Sequence, residues 1–221
     1  MKTLVIAPHP DDEVLGCGGT IAKYTSSGEE VCLCVVTRAY PPEWPEDEIP
    51  RRKQEVLKAN EILGIRKTDF LDYPTVKLDT IPHKDLADSI TRVINEVMPE
   101  VVYIPHRGDV NKDHRLVFEA AMVVTRPKSA SSIKKVLCYE VISETDWAAP
   151  FTDSVFIPNI FVDISETLET KLKAMSEYKL ELKEFPHSRS LEAISALAKI
   201  RGATIGVKAA EAFMLVREVF T

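Results

Sequence analysis

The sequence predicts an α/β protein with helices on both faces of a mostly parallel sheet, in three α/β/α layers. Three observations predict it. Short β-branched runs alternate with longer helical ones along the chain, the pattern of parallel βαβ units. The run at 31–37 is apolar throughout, as a strand covered on both faces requires. No repeat, low-complexity block or linker interrupts the 221 residues, so one domain spanning 1–221 is expected.

The elements follow in order. Residues 3–7 read as the first strand, and 13–27 as a helix with small residues at its start and Gly28 as its stop. Residues 31–37 are the second strand. The stretch 39–50 is Pro-rich and acidic, a loop or lid. Residues 50–63, ending at Gly64, form a charged amphipathic helix, and 69–71 a short strand. A helix at 83–97 is closed by Pro99, 101–104 is a strand, and a helix at 113–124 stops near Pro127. Strands at 135–140 and 160–164 precede helices at 167–182 and 191–200. Residues 213–219 read as a terminal strand, although a helix fits almost as well. This is a Rossmann-like arrangement, and in such sheets sites form beyond the carboxyl ends of strands, near a switch in strand order.

Composition narrows the function. With 28 Lys+Arg against 34 Asp+Glu, the net charge is −6, a poor match to a nucleic-acid binder. No apolar run approaches the ~20 residues that span a bilayer, so no transmembrane segment is expected. The apolar start resembles a signal segment only until His9, Asp11, Asp12 and Glu13 interrupt it, which predicts a first strand and a cytoplasmic protein. Cys17, Cys32, Cys34 and Cys138 fall in apolar contexts and read as reduced, packed thiols. Cys32 and Cys34 face the same way in a strand.

Two strand ends carry chemistry. The first strand runs into Pro8-His9-Pro10-Asp11-Asp12-Glu13. Like charges this close are costly unless a cation neutralises them. His9 and Asp12, three apart in a turn fixed by two prolines, are able to converge on one ion, which leaves Asp11 free. Glu13 either supports that site from behind or favours the positive end of the next helix. The plainer reading is a core histidine beside helix-capping acids. The strand at 101–104 runs into a second cluster that contains His106, Asp109, Asn111, Asp113 and His114. A catalytic zinc takes three protein ligands and leaves one position for water. His114, at the start of the next helix, is the better third ligand, and His106 is its rival.

At these residues the chain resembles a known family. Pro8-His9-Pro10-Asp11-Asp12-Glu13-Val14-Leu15-Gly16-Cys17-Gly18-Gly19 resembles the signature of the PIG-L (LmbE-like) deacetylases, and Asp109-Val110-Asn111-Lys112-Asp113-His114-Arg115 resembles their second motif. Arg52-Lys53-Gln54-Glu55 and the terminal Ala210-Glu211-Ala212-Phe213 are similar to two further family segments. The resemblance implies a metal-dependent hydrolase, with one Zn2+ per chain or another divalent ion, that removes the acetyl group from an N-acetylglucosamine-type sugar conjugate by zinc-activated water. It implies His9, Asp12 and His114 as metal ligands, Asp11 as general base, Arg52 near substrate, and a homo-oligomer.

One position departs from that pattern. Many relatives carry His-x-Asp-His where this chain has Asn111. An asparagine can donate to an oxyanion but cannot titrate, so the acid role passes to Asp11 or to a residue elsewhere. Asp113 is then free to orient a ligand or the loop. The segment Phe185-Pro186-His187-Ser188-Arg189-Ser190 offers a replacement, with His187 as acid and Arg189 against substrate. His83 reads as a surface residue near a helix start. Gly16, Gly18 and Gly19 read as close helix packing rather than a phosphate cradle, because they follow the acidic cluster. Two other functions compete. One is a non-catalytic nucleotide- or sugar-phosphate-binding module, and the other a metal hydrolase of a different amide or ester. Tyr40 and Trp44 in the 39–50 loop suit a cover over a sugar or a subunit contact.

Overall fold

The computed structural model describes residues 1–127 and 132–220. β1 (Lys2–Ala7), α1 (Asp12–Ser26), β2 (Glu30–Arg38), α2 (Glu48–Leu63) and β3 (Lys67–Pro74) form the first half. A 3-10 turn (Leu78–Thr80), α3 (His83–Val97), β4 (Val101–Pro105), α4 (Lys112–Val124) and β5 (Lys135–Tyr139) follow. The chain then adds β6 (Ile160–Asp163), α5 (Leu168–Met175), α6 (Leu191–Ile205) and β7 (Ala210–Glu218).

The strands form one seven-stranded sheet in the order β3-β2-β1-β4-β5-β7-β6. β1 pairs in parallel with both β2 and β4, β2 with β3, and β4 with β5. β7 runs antiparallel to β5 and to β6. The chain therefore winds one way from β1 through β2 and β3, and the other way through β4 and β5. The reversal falls between β1 and β4, and the carboxyl ends of those two strands flank the crevice that such folds use for ligands.

Strand periodicity divides the core between two faces. Val5, Ala7, Leu33 and Val35 pack with Val14, Val56 and Met175 from α1, α2 and α5. Leu4, Ile6, Cys32, Cys34 and Val36 pack with Ile90 and Val117 from α3 and α4. Cys32 and Cys34 thus share a face, and all four cysteines are buried and free. No helix among the described residues is long and apolar enough to cross a membrane.

The glycines of α1 act as packing residues. A Cβ on Gly16 would lie 2.3 Å from the Tyr139 ring, and one on Gly19 would lie 2.6 Å from Ile164. Two N–H groups of this stretch are also engaged. Those of Gly19 and Thr20 donate to Glu211 at 2.9 and 2.7 Å, and Glu211 also holds Lys171 at 2.6 Å.

Four elements differ from the expectation. The helix expected at 167–182 ends at Met175, because Tyr178 turns inward, is buried and donates its hydroxyl to Glu13. The helix expected to stop at 200 continues to Ile205, where Gly206 at φ 79° supplies the left-handed stop. α2 begins at Glu48, since Pro50 is tolerated in a first turn. The third strand is longer than 69–71, because pairing with β2 continues through Tyr73 and Pro74 past a register shift. The chain end is a strand rather than a helix, beginning at Ala210 and held by antiparallel pairing with both β5 and β6.

Candidate active site

β1 delivers His9, and β4 with the start of α4 delivers His114, to the two sides of the switch point. The turn after β1 is pinned by Thr37, whose N–H and hydroxyl both donate to the Pro8 carbonyl, at 3.0 and 2.8 Å. The His9 N–H donates to Asp12 Oδ2 at 2.8 Å, which folds the turn back on itself. His9 Nδ1, His114 Nε2 and Asp12 Oδ2 form a triangle with sides of 3.2, 3.2 and 3.4 Å. Ligands on a tetrahedral zinc with bonds of about 2.05 Å stand about 3.3 Å apart, so the three donors have the spacing of one tetrahedral face. The remaining oxygen of Asp12 is buried with no hydrogen-bond partner among the described residues. Both observations suit a cation, and these three residues are grouped as one metal-competent cluster.

The outer nitrogens of both histidines are held. His9 Nε2 lies 3.0 Å from Asp113 Oδ2, and His114 Nδ1 lies 2.8 Å from Asp109 Oδ2. With an ion in the triangle each ring would carry its single proton on the outer nitrogen and turn its inner lone pair to the ion. The same carboxylates also favour the imidazolium forms, so an ion that binds here would displace protons. Burial alone would lower His9, but the Asp113 and Asp12 carboxylates outweigh it and raise its pKa to about 9. Burial would likewise lower His114, yet Asp12 and Asp109 hold it well above the ordinary value. Burial would raise Asp12, and the two imidazoles beside it hold it far below the usual carboxylate range.

Asp11 stands beside this triangle and is not a helix-capping side chain. It occupies the N-cap position at φ 99° with no side-chain cap bond, and its carbonyl instead accepts from Val14 and Leu15 at 3.0 and 2.9 Å. Its N–H donates to Glu13 Oε2 at 3.2 Å, and Glu13 is anchored in turn by Tyr178. Glu13 thus supports the strained turn from behind, and burial pushes it up to about 7. Burial also pushes Asp11 well above the ordinary range, against the pull of the Arg189 guanidinium, which lies 3.3 Å from its Oδ2.

A cavity of about 400 Å³ opens above these residues. His9, Asp11, Asn111, Arg52 and Arg189 line it, with Trp44, Ile49, Val56 and Phe70 as an apolar wall. Asn111 caps α4 through its Oδ1, which accepts from the Asp113 N–H at 3.0 Å, so its amide N–H groups remain for the cavity. Arg52 and Arg189 share Glu181, which accepts from both.

The structure separates two histidines from this group. His106 is buried but bonds the Ser154 carbonyl at 2.9 Å and packs edge-on to Phe156. His187 does not line the cavity. Its Nδ1 accepts from the Arg189 N–H at 3.0 Å, and its ring meets Trp147 edge-on. His83 is exposed. Sequence reasoning gave no role to Asp109, Ser143, Glu144, Thr145, Tyr178 or Glu181. Asp109 alone had a local signal, as an acid five residues before His114.

The family model described as "PIG-L: GlcNAc-PI de-N-acetylase" matches residues 4–125. An uncharacterized deacetylase YaiS from Escherichia coli is 31% identical over 185 residues, covering 80% of this chain and 89% of that protein. A diacetylchitobiose deacetylase from Thermococcus kodakarensis is 30% identical over 196 residues, covering 83% of this chain and 71% of that protein. The conserved protein TT1542 from Thermus thermophilus superposes with a TM-score of 0.79 at 24% identity, covering 99% of this chain and 96% of that one, which shows a shared fold. A buried His-Asp-His cluster at the switch point and these matches lead to one conclusion: the chain belongs to the PIG-L family.

Proposed function

We propose that this protein is a zinc-dependent deacetylase of an N-acetylglucosamine-type sugar conjugate, built as one catalytic domain over 1–221. The observation that carries the reading is the donor triangle of His9, Asp12 and His114 with Asp11 beside it, His9 and Asp11 both lining the cavity. The acetylated-sugar deacetylases among its relatives support the substrate class. His9, Asp12 and His114 would hold the ion. When bound, zinc lowers the pKa of water and polarises an amide carbonyl.

The residues of the chain supply the rest. Asp11 accepts the proton of the attacking water, because its carboxylate faces the cavity while its backbone is fixed by Glu13. Arg189 keeps that carboxylate oriented. The amide of Asn111 donates to the oxygen of the tetrahedral intermediate, a role that needs a donor but no titration. Protonated Asp11 then passes its proton to the departing amine, since it lines the cavity. His187 acts on the loop that carries Arg189, through the Arg189 N–H, and supports the site without touching substrate. Arg52 and Arg189 bind sugar hydroxyls on the cavity wall. The ring of Trp44 suits the apolar face of a sugar.

The test is release of free amine from a panel of N-acetylated sugars, including diacetylchitobiose, by zinc-loaded protein and by Asp11→Asn. Turnover by the wild type and a loss of about 10² to 10⁴ in the variant, the range of a general base, with zinc content unchanged, is the expected result. Near-normal turnover in Asp11→Asn contradicts the base assignment. Zinc binding without release from any acetylated sugar favours a hydrolase of another amide or ester.

A further inference from the structure

We propose that Ser143, Glu144 and Thr145, three consecutive residues after β5, are positioning residues that hold the two halves of the site together. Thr145 serves the metal-ligand half, and Ser143 with Glu144 serves the Asp11 half. The inference rests on the functional reading above. These residues lie outside the stretch 4–125 matched by the family model.

The Thr145 hydroxyl donates to Asp109 Oδ1 at 2.6 Å, and the other Asp109 oxygen holds His114 Nδ1 at 2.8 Å. That hydroxyl also accepts from the Val141 N–H at 2.8 Å. Its acceptor side is therefore occupied and its single proton is directed at Asp109. The result is a chain from loop to hydroxyl to carboxylate to ligand, each link of which fixes the next.

Two residues earlier the same loop grips the other half. Arg189 Nε donates to Ser143 Oγ at 2.6 Å, and one terminal nitrogen donates to Glu144 Oε1 at 3.1 Å. The other terminal nitrogen reaches Asp11 at 3.3 Å and Glu181 at 3.0 Å. With Nε and one terminal nitrogen held by neighbouring residues, a planar guanidinium has little freedom left, and its approach to Asp11 is set by the loop.

The backbone explains how three consecutive residues serve two directions. The Glu144 and Thr145 N–H groups both donate to the Val141 carbonyl, at 3.1 and 2.8 Å, which folds the loop into a tight turn. Ser143 sits at φ 77°, a left-handed conformation uncommon for a residue other than glycine, asparagine or aspartate. Such strain persists where surrounding contacts over-determine it, and it clusters at functional sites. The Val110 N–H donates to the Glu144 carbonyl at 3.1 Å, which ties the loop to the segment that presents Asn111.

The experiment compares Thr145→Val, Thr145→Ser and Glu144→Gln in the full chain, with folding checked by circular dichroism. Zinc affinity is read by competition with a chromophoric chelator, and kcat and KM are read at saturating zinc on an acetylated sugar. Thr145→Val is expected to weaken zinc about tenfold to hundredfold, the usual effect of losing a group behind a ligand, and Thr145→Ser to restore most of it. Glu144→Gln is expected to keep zinc affinity within about twofold and to lose about tenfold to hundredfold in kcat, as a misplaced reacting group does, with a smaller change in KM. Wild-type zinc affinity in Thr145→Val, or equal weakening of zinc in Thr145→Val and Glu144→Gln, overturns the division of roles. Zinc binding by the wild type without deacetylation overturns the proposed function and the Glu144 half, while the zinc titrations still decide the Thr145 half. No zinc binding by the wild type overturns both.

Discussion

Asp113 lies 3.0 Å from the outer nitrogen of His9, although the two residues come from strand ends 104 positions apart in sequence. The same carboxylate accepts from the Val76 and Leu78 N–H groups at 2.6 and 3.2 Å. One side chain thus ties His9, a proposed metal ligand, to the segment after β3. Asp113→Asn is expected to weaken zinc about tenfold to hundredfold. Chelator competition checks it, and an unchanged affinity contradicts the tautomer assigned to His9.

Lys171 and Glu211 form a buried ion pair, with 5% and 4% of the side chains exposed. Lys171 also donates to the Leu15 carbonyl at 2.8 Å, so the pair closes the back of α1 without reaching the cavity. Breaking one partner of such a pair costs about 3–5 kcal/mol. Glu211→Gln is expected to lose stability of that order in urea titration. A loss below about 1 kcal/mol would place the pair among weak surface contacts.

The cysteines make a pH-dependent prediction. Burial pushes all four thiols up, with Cys138 at about 12. The thiolate is the reactive form, so iodoacetamide at pH 8 should leave the native protein unmodified and label all four residues in denaturant. In the unfolded chain these thiols ionise near pH 8.5. Their raised native values therefore contribute no loss below that pH, and stability falls as the pH rises from about 8.5 toward 12. Rapid labelling of the native protein contradicts the packing of α1, β2 or β5, the elements that carry the four thiols.

Much of the fold was readable because its signals are local. The apolar run at 31–37, the stops at Gly28 and Gly64, and the small residues of α1 each report their own environment. The His9, Asp12 and His114 cluster was readable for the same reason, since His9 and Asp12 share one turn and His114 opens a helix beside two acids. The groups behind them were not. Ser143 and Thr145 are ordinary polar residues that the fold brings to Arg189 and Asp109 from 46 and 36 positions away, and Glu181 meets Arg189 through the irregular turn between α5 and α6. The break after Met175 was hidden because Tyr178 continues a helical pattern, and its partner Glu13 lies 165 residues away. His187 looked like a site residue in an exposed loop, yet its ring nitrogen is used by the backbone of that same loop.

The most direct measurement is metal per chain by elemental analysis, after purification without chelators or metal-affinity resin and after zinc loading and dialysis. The wild type should hold about one zinc per chain, as a site of three protein ligands does, and His114→Ala should hold close to none. A wild type without zinc, or a His114→Ala variant that retains it at the same stoichiometry, would contradict a metal centre built from His9, Asp12 and His114.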